Sequence, residues 1–141
     1  MSRDRDATGR ARNARPRDAY GRPLPHGAEG VERVPDDYAP TAEQAIADGV
    51  EMLRLDRPFH AHEIFEGRWK CCPPAERELW QGLAQICVGL THLQRGNARG
   101  AQTLLERGAG RLASIDGRPY GIDPAKAAQA RSIDDLLAAL T

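Results

Sequence analysis

The chain has 141 residues, of which 40% are hydrophobic and only 5% aromatic, and its 20 Lys and Arg balance its 20 Asp and Glu. This length suits a single domain, and the zero net charge lacks the basic excess that nucleic-acid backbones select, so nucleic-acid binding is disfavoured. The longest uncharged stretch, residues 79–94, is too short and too polar to span a membrane, so we expect no membrane insertion.

The cysteines and the N-terminus both favour a cytoplasmic protein. The three cysteines are an odd number, and adjacent Cys71 and Cys72 could pair only through a strained bridge, so reduced thiols are expected. The N-terminus also lacks the apolar stretch of a secretory signal. We therefore expect a cytoplasmic location.

Residues 1–40 differ in composition from the rest of the chain. They are rich in Arg, Pro and Gly and have almost no apolar periodicity, so they cannot offset the entropy cost of their own ordering. We expect this segment to be a disordered or loosely docked arm. The prolines on either side of Leu24 would let part of it lie extended along the domain formed by residues 41–141.

Helical signals begin at Thr41. Thr41 and Gln44 form a capping box in front of apolar residues at helical spacing, namely Ile46, Val50 and Leu53. A proline suits the first turn of a helix, and it also ends any helix that precedes it in the chain. They predict a second helix from Pro58 to about Lys70 and a third from about Pro74 to Arg95.

The C-terminal part continues in the same way. Asn97 predicts the N-cap of a fourth helix to about Ser114, and Asp123 and Ser132 predict the caps of two short final helices. No segment alternates as a strand would. The sequence therefore predicts an all-α fold: a compact antiparallel helical bundle of about four main helices plus short C-terminal helices.

One face of the second helix combines polar and aromatic residues. At about 100° per residue, the face that should meet the core carries Phe59, His62, Phe65, Glu66 and Trp69, with His60 on the opposite, surface side. A carboxylate inside an apolar stripe is costly unless it is paired. Glu66 therefore needs partners.

The third helix offers these partners. It is apolar on almost every side, which is typical of a central helix, yet Gln81, Gln85 and His92 form a narrow polar stripe. Gly82 and Gly89 beside this stripe would allow a close helix contact. We therefore expect a polar cluster between the two helices, made up of His62, Glu63, Glu66, Trp69, Gln81, Gln85 and His92.

Three interpretations of this polar cluster remain open. His62, Glu66 and His92 could bind a divalent metal as three ligands with an open position. The cluster could instead line a pocket for a small polar molecule, with Glu66 or His62 as a general base. Alternatively it is a structural network that only fixes helix packing, and the protein works through a protein partner. The sequence does not decide whether the protein is an enzyme.

The same residues resemble a known family. The pattern H-E-x-x-E-x-x-W from His62 to Trp69, followed by Q-G-L-x-Q from Gln81, by His92 and by G-N and G-A, is similar to the bacterial and archaeal family called domain of unknown function 309. The similarity extends from about residue 59 to residue 112. It implies a compact helical bundle with the polar cluster as the family signature, and it implies no activity.

Overall fold

The computed structural model describes residues 34–35 and 37–141, together with the backbone of residues 4–5 and 11–12. Two strands of two residues each, β1 (Asp4–Arg5) and β2 (Ala11–Arg12), pair antiparallel. The remainder of the predicted arm before Val34 lies outside the described residues. The described chain then forms six helices: α1 (Ala42–Arg54), α2 (Pro58–Cys71), α3 (Arg77–Gln94), α4 (Ala98–Leu112), α5 (Pro124–Ala128) and α6 (Ile133–Leu140).

The predicted caps account for where four of these helices begin. The Thr41 hydroxyl accepts a hydrogen bond from the Gln44 backbone N–H, and Asn97, Asp123 and Ser132 accept equivalent bonds at the starts of α4, α5 and α6. Each bond satisfies one of the N–H groups that a helix start leaves without an intrahelical partner. The all-α fold expected from the sequence is confirmed.

Helix α3 lies at the centre, between α2 on one side and α4 on the other. Ten of its 18 residues are buried, including Trp80, Leu83 and Ile86. This burial accounts for the apolar character of α3. No helix among the described residues is long and apolar enough to cross a membrane.

The glycines of α3 allow a close approach of α4, and they do not face the polar cluster. A Cβ atom added to Gly82 would lie 2.8 Å from Leu112 Cγ, and one added to Gly89 would lie 2.7 Å from Leu105 Cγ. Gly108 of α4 approaches the Gly82 carbonyl oxygen so closely that a Cβ there would lie 2.9 Å from it. The close helix contact expected from Gly82 and Gly89 therefore occurs between α3 and α4.

The buried face of α2 differs from the predicted one. His60 is only 2% exposed, so its predicted surface position is wrong. It shares the buried side of α2 with Pro58, Ala61, Ile64 and Phe65. The reason is that α2 packs against both α1 and α3, which buries a broad arc centred on Ala61 and Ile64. His62, Glu66 and Trp69 lie at the edge of this arc and are half-buried.

The segment just before α1 packs on the helices. The Tyr38 hydroxyl donates a hydrogen bond to Asp48 Oδ2, and the Tyr38 ring covers Gly67, where a Cβ atom would lie 2.9 Å from it. The Pro40 carbonyl oxygen accepts a hydrogen bond from Arg68 Nη1 at 3.3 Å. Residues 37–40 thus join α1 to α2.

Candidate functional site

A groove of about 160 Å³ lies between α2 and α3. We call it the α2–α3 groove. It is lined by His62, Glu66 and Trp69 from α2 and by Gln81, Ala84, Gln85 and Val88 from α3. Five of the seven residues of the predicted polar cluster therefore share one concave surface. Ala84 and Val88 add an apolar wall.

Glu66 is the charged acceptor of the groove. Its Oε2 atom lies 3.1 Å from His62 Nε2 and its Oε1 atom lies 3.2 Å from Lys70 Nζ. The hydrogen bond from His62 is the largest influence on the Glu66 carboxyl, and with help from Lys70 it outweighs partial burial and lowers the pKa from 4.5 to about 2. Glu66 is therefore an ionised carboxylate with both oxygens engaged.

His62 is held at both ring nitrogens. Nδ1 lies 2.9 Å from the Phe59 carbonyl oxygen, and Nε2 faces the Glu66 carboxylate. A carbonyl and an ionised carboxylate accept hydrogen bonds but cannot donate them. Both ring nitrogens of His62 therefore already have a hydrogen-bond partner within α2, and neither is free to bind a metal ion.

The orientation of the Gln85 amide is set by Arg111 of α4. Arg111 of α4 donates from Nε to Gln85 Oε1 at 3.0 Å and from Nη1 to Glu78 Oε1 at 2.9 Å. Because a guanidinium group has only donors, it selects the amide orientation that turns the Gln85 oxygen towards it. The Gln85 NH₂ group is then the part of this amide that remains for the groove.

Trp69 contributes an unsatisfied donor. Its Nε1 atom is buried and has no hydrogen-bond acceptor among the described residues. Trp80 makes a useful contrast, because its Nε1–H donates to Glu76 Oε1 at 2.9 Å. Buried indole N–H groups are normally paired, so the one on Trp69 stands out as an unsatisfied donor in a residue that lines the groove.

His92 and Glu63 do not line the α2–α3 groove. His92 lies in the last turn of α3, where its Nδ1 atom accepts from the Asn97 amide at 3.3 Å. Burial, reinforced by the charge of Arg95, lowers the pKa of His92, which agrees with a neutral ring acting as an acceptor. Glu63 is half-buried on another side of α2.

The described structure gives no support to the metal site predicted from His62, Glu66 and His92. Residues 34–35 and 37–141 contain no group of three His, Cys, Asp or Glu side chains that could hold a metal ion. His92 lies in the last turn of α3 beside Asn97 and outside the groove, while the His62 nitrogens are engaged by Phe59 and Glu66.

Two residues outside the predicted cluster contact side chains that line the groove. Lys70 could have been predicted, because it lies four residues after Glu66 on the same helix, where opposite charges meet. Arg111 gives no such signal, since its contact with Gln85 joins two different helices across 26 positions of the chain.

The described residues thus define a small all-helical domain with a polar groove between its second and third helices. Residues 46–104 match the family model described as "Domain of unknown function (DUF309)", which confirms the resemblance seen in the sequence. The matched range includes every residue that lines the groove.

The chain is also similar to one curated bacterial protein over a shorter range. It is 44% identical over 48 residues to the "Uncharacterized protein YpuF" of Bacillus subtilis (strain 168). That segment covers 33% of this chain and 28% of the relative, so the match extends over less than a third of the relative's length. No solved structure matches the chain.

Proposed function

We propose that the α2–α3 groove binds a small polar molecule, and that the protein acts as a binding module and not as an acid–base catalyst. The observation that carries this proposal is the buried Trp69 indole N–H, which has no acceptor in the described part of the chain. Leaving such a donor unsatisfied costs about 1–3 kcal/mol. A ligand that supplies an acceptor recovers this energy on binding.

The ionisation of the groove favours binding over proton transfer. A general base works best when its pKa lies near the working pH, whereas the pKa of Glu66 is about 2. The nitrogens of His62 are both engaged in hydrogen bonds with acceptors. Neither residue is therefore set up for the general-base role that the sequence suggested.

The alternative in which the cluster only fixes helix packing has less support. The hydrogen bonds and ion pair that the described structure gives to His62 and Glu66 all stay within α2. Such contacts stabilise one helix but cannot set its register against another. The bond from Arg111 to Gln85 does cross between helices, but it joins α4 to α3 and does not involve α2.

The two tryptophans of the chain allow a direct test of binding. In a ¹H–¹⁵N correlation spectrum they give two indole N–H signals, with Trp69 in the groove and Trp80 fully buried on Glu76. We expect a panel of small neutral, anionic and cationic molecules to include at least one that shifts the Trp69 signal to saturation and leaves Trp80 unchanged. A panel without any such molecule would refute the proposal.

A variant that fills the groove, compared with a matched control, tests where the molecule binds. Val88→Phe places a larger side chain in the groove, and we expect it to weaken binding at least about tenfold. Leu93→Phe makes a similar change on the same helix, at a residue that is 44% exposed and does not line the groove. This control should bind like the wild type, and equal effects of the two variants would count against a site in the groove.

A further inference from the structure

The charges of the groove already compensate one another. Glu66 is ionised and its Oε1 atom lies 3.2 Å from Lys70 Nζ, so one negative charge is balanced by one positive charge and the groove does not need a counter-ion from its ligand. An anionic ligand would meet the Glu66 carboxylate. A cationic ligand would compete with His62 and Lys70 and would leave the Trp69 donor unsatisfied. The pairing therefore favours a neutral ligand.

The unused hydrogen-bonding groups define the chemistry of that ligand. Trp69 supplies an indole N–H, and Gln85 supplies an NH₂ group because its oxygen is held by Arg111. Each Glu66 oxygen accepts one described bond and retains further acceptor capacity. Gln81 also lines the groove, and its amide can both donate and accept. The groove thus combines neutral donors with one strong charged acceptor.

From this arrangement, and resting on the proposed binding function, we infer that the ligand presents a carboxamide group. Its carbonyl oxygen accepts from the Trp69 indole and the Gln85 NH₂ group, and its own N–H donates to the Glu66 carboxylate. Arg111 is then a specificity-determining positioning residue, because it decides which end of the Gln85 amide is offered to the ligand.

Three molecules of equal size test the ligand class. Acetamide, acetate and acetamidinium have the same shape but differ in charge and in their donors and acceptors. We expect acetamide to shift the Trp69 indole signal at concentrations at least about tenfold lower than the other two, because sites built to hydrogen-bond a group discriminate strongly against its analogues. A site that prefers acetate or acetamidinium would overturn the carboxamide assignment and leave the binding function standing.

Variants of Gln85 and Arg111 test the mechanism of selection. Gln85→Glu keeps the shape but replaces the NH₂ group that faces the ligand by an oxygen that cannot donate, so we expect at least about tenfold weaker acetamide binding. Arg111→Met frees the Gln85 amide to rotate, which should reduce the preference for acetamide over acetamidinium while binding persists. Unchanged selectivity in Arg111→Met would refute the positioning role.

The outcomes distinguish a wrong ligand class from the absence of binding in the groove. The Trp80 signal reports whether each variant is folded, and the comparison of the three molecules on the wild-type protein decides the ligand class even if a variant fails to fold. If neither these molecules nor any member of the wider panel moves the Trp69 signal, both the binding function and the carboxamide class fail.

Discussion

At the scale of single residues, the state of Glu66 follows from neighbours one helical turn away on each side. His62 and Lys70 lie four residues before and after it, and each contacts a different carboxylate oxygen. The interaction is local, so helical spacing alone could predict it. The contribution of Arg111 to the same groove could not be predicted, because it depends on how α4 packs on α3.

The first prediction concerns the ionisation of Glu66. We expect its carboxyl carbon to titrate in NMR with a midpoint near 2, and His62→Ala to move the midpoint upwards. Lys70→Met should move it upwards by less, because the hydrogen bond from His62 is the larger influence. A larger shift in Lys70→Met than in His62→Ala would contradict this description of the pair.

The same shift has a defined consequence for stability. Because the folded-state pKa is lowered, the ion pairs stabilise the fold above the ordinary pKa of 4.5, and this stabilisation is lost as the pH falls towards 2. The Glu66 side chain is 41% exposed, so solvent screening limits the contribution to below about 1 kcal/mol.

At the scale of elements, the helices could be predicted because their signals are local. Capping residues and prolines lie next to the helix ends that they determine, so the six described helices agree with the expected order. The orientation of α2 was harder to predict. Phe59 and Trp69 suggested a buried aromatic face, but packing against two helices placed Ala61 and Ile64 at its centre instead.

The second prediction concerns the contact between α3 and α4. Gly108→Ala would place a Cβ atom 2.9 Å from the Gly82 carbonyl oxygen, a backbone atom that cannot easily move. We expect a loss of about 1–3 kcal/mol in the free energy of unfolding, measured with urea.

Gly110 on the same helix provides the matched control. A Cβ atom there has nothing within 4 Å, so Gly110→Ala should gain about 0.5–1 kcal/mol from helix propensity. If both alanines stabilised the protein, the close contact at Gly108 would be disproved.

At the scale of the whole molecule, Glu76 joins distant parts of the chain. Its carboxylate accepts hydrogen bonds from Arg68 of α2 at 3.1 Å, from Trp80 of α3 at 2.9 Å and from Tyr120 at 2.9 Å. Burial opposes its ionisation, but these three bonds outweigh burial and lower the pKa of Glu76. Only the contact with Trp80, four residues along the chain, could be predicted, because Arg68 and Tyr120 come from separate elements.

The third prediction is that Glu76→Gln destabilises the protein by about 2–4 kcal/mol in urea unfolding, since Arg68 would lose its charged partner in a largely buried place. The loss should shrink as the pH falls below the ordinary range of a glutamate, because protonation removes the same charge from the wild type. Glu78→Gln serves as the control. Its side chain is 50% exposed, so we expect less than about 1 kcal/mol.

The glycine-mediated contact between α3 and α4 also bears on the order of folding. These two helices are neighbours in the chain, joined only by residues 95–97, and their backbones approach closely. Pairs that are close in sequence lose little entropy when they meet, so we expect this hairpin to be formed in the transition state for folding. Leu105→Ala in α4 should then slow refolding, whereas Leu136→Ala in α6, which docks on the distant α1, should mainly speed unfolding.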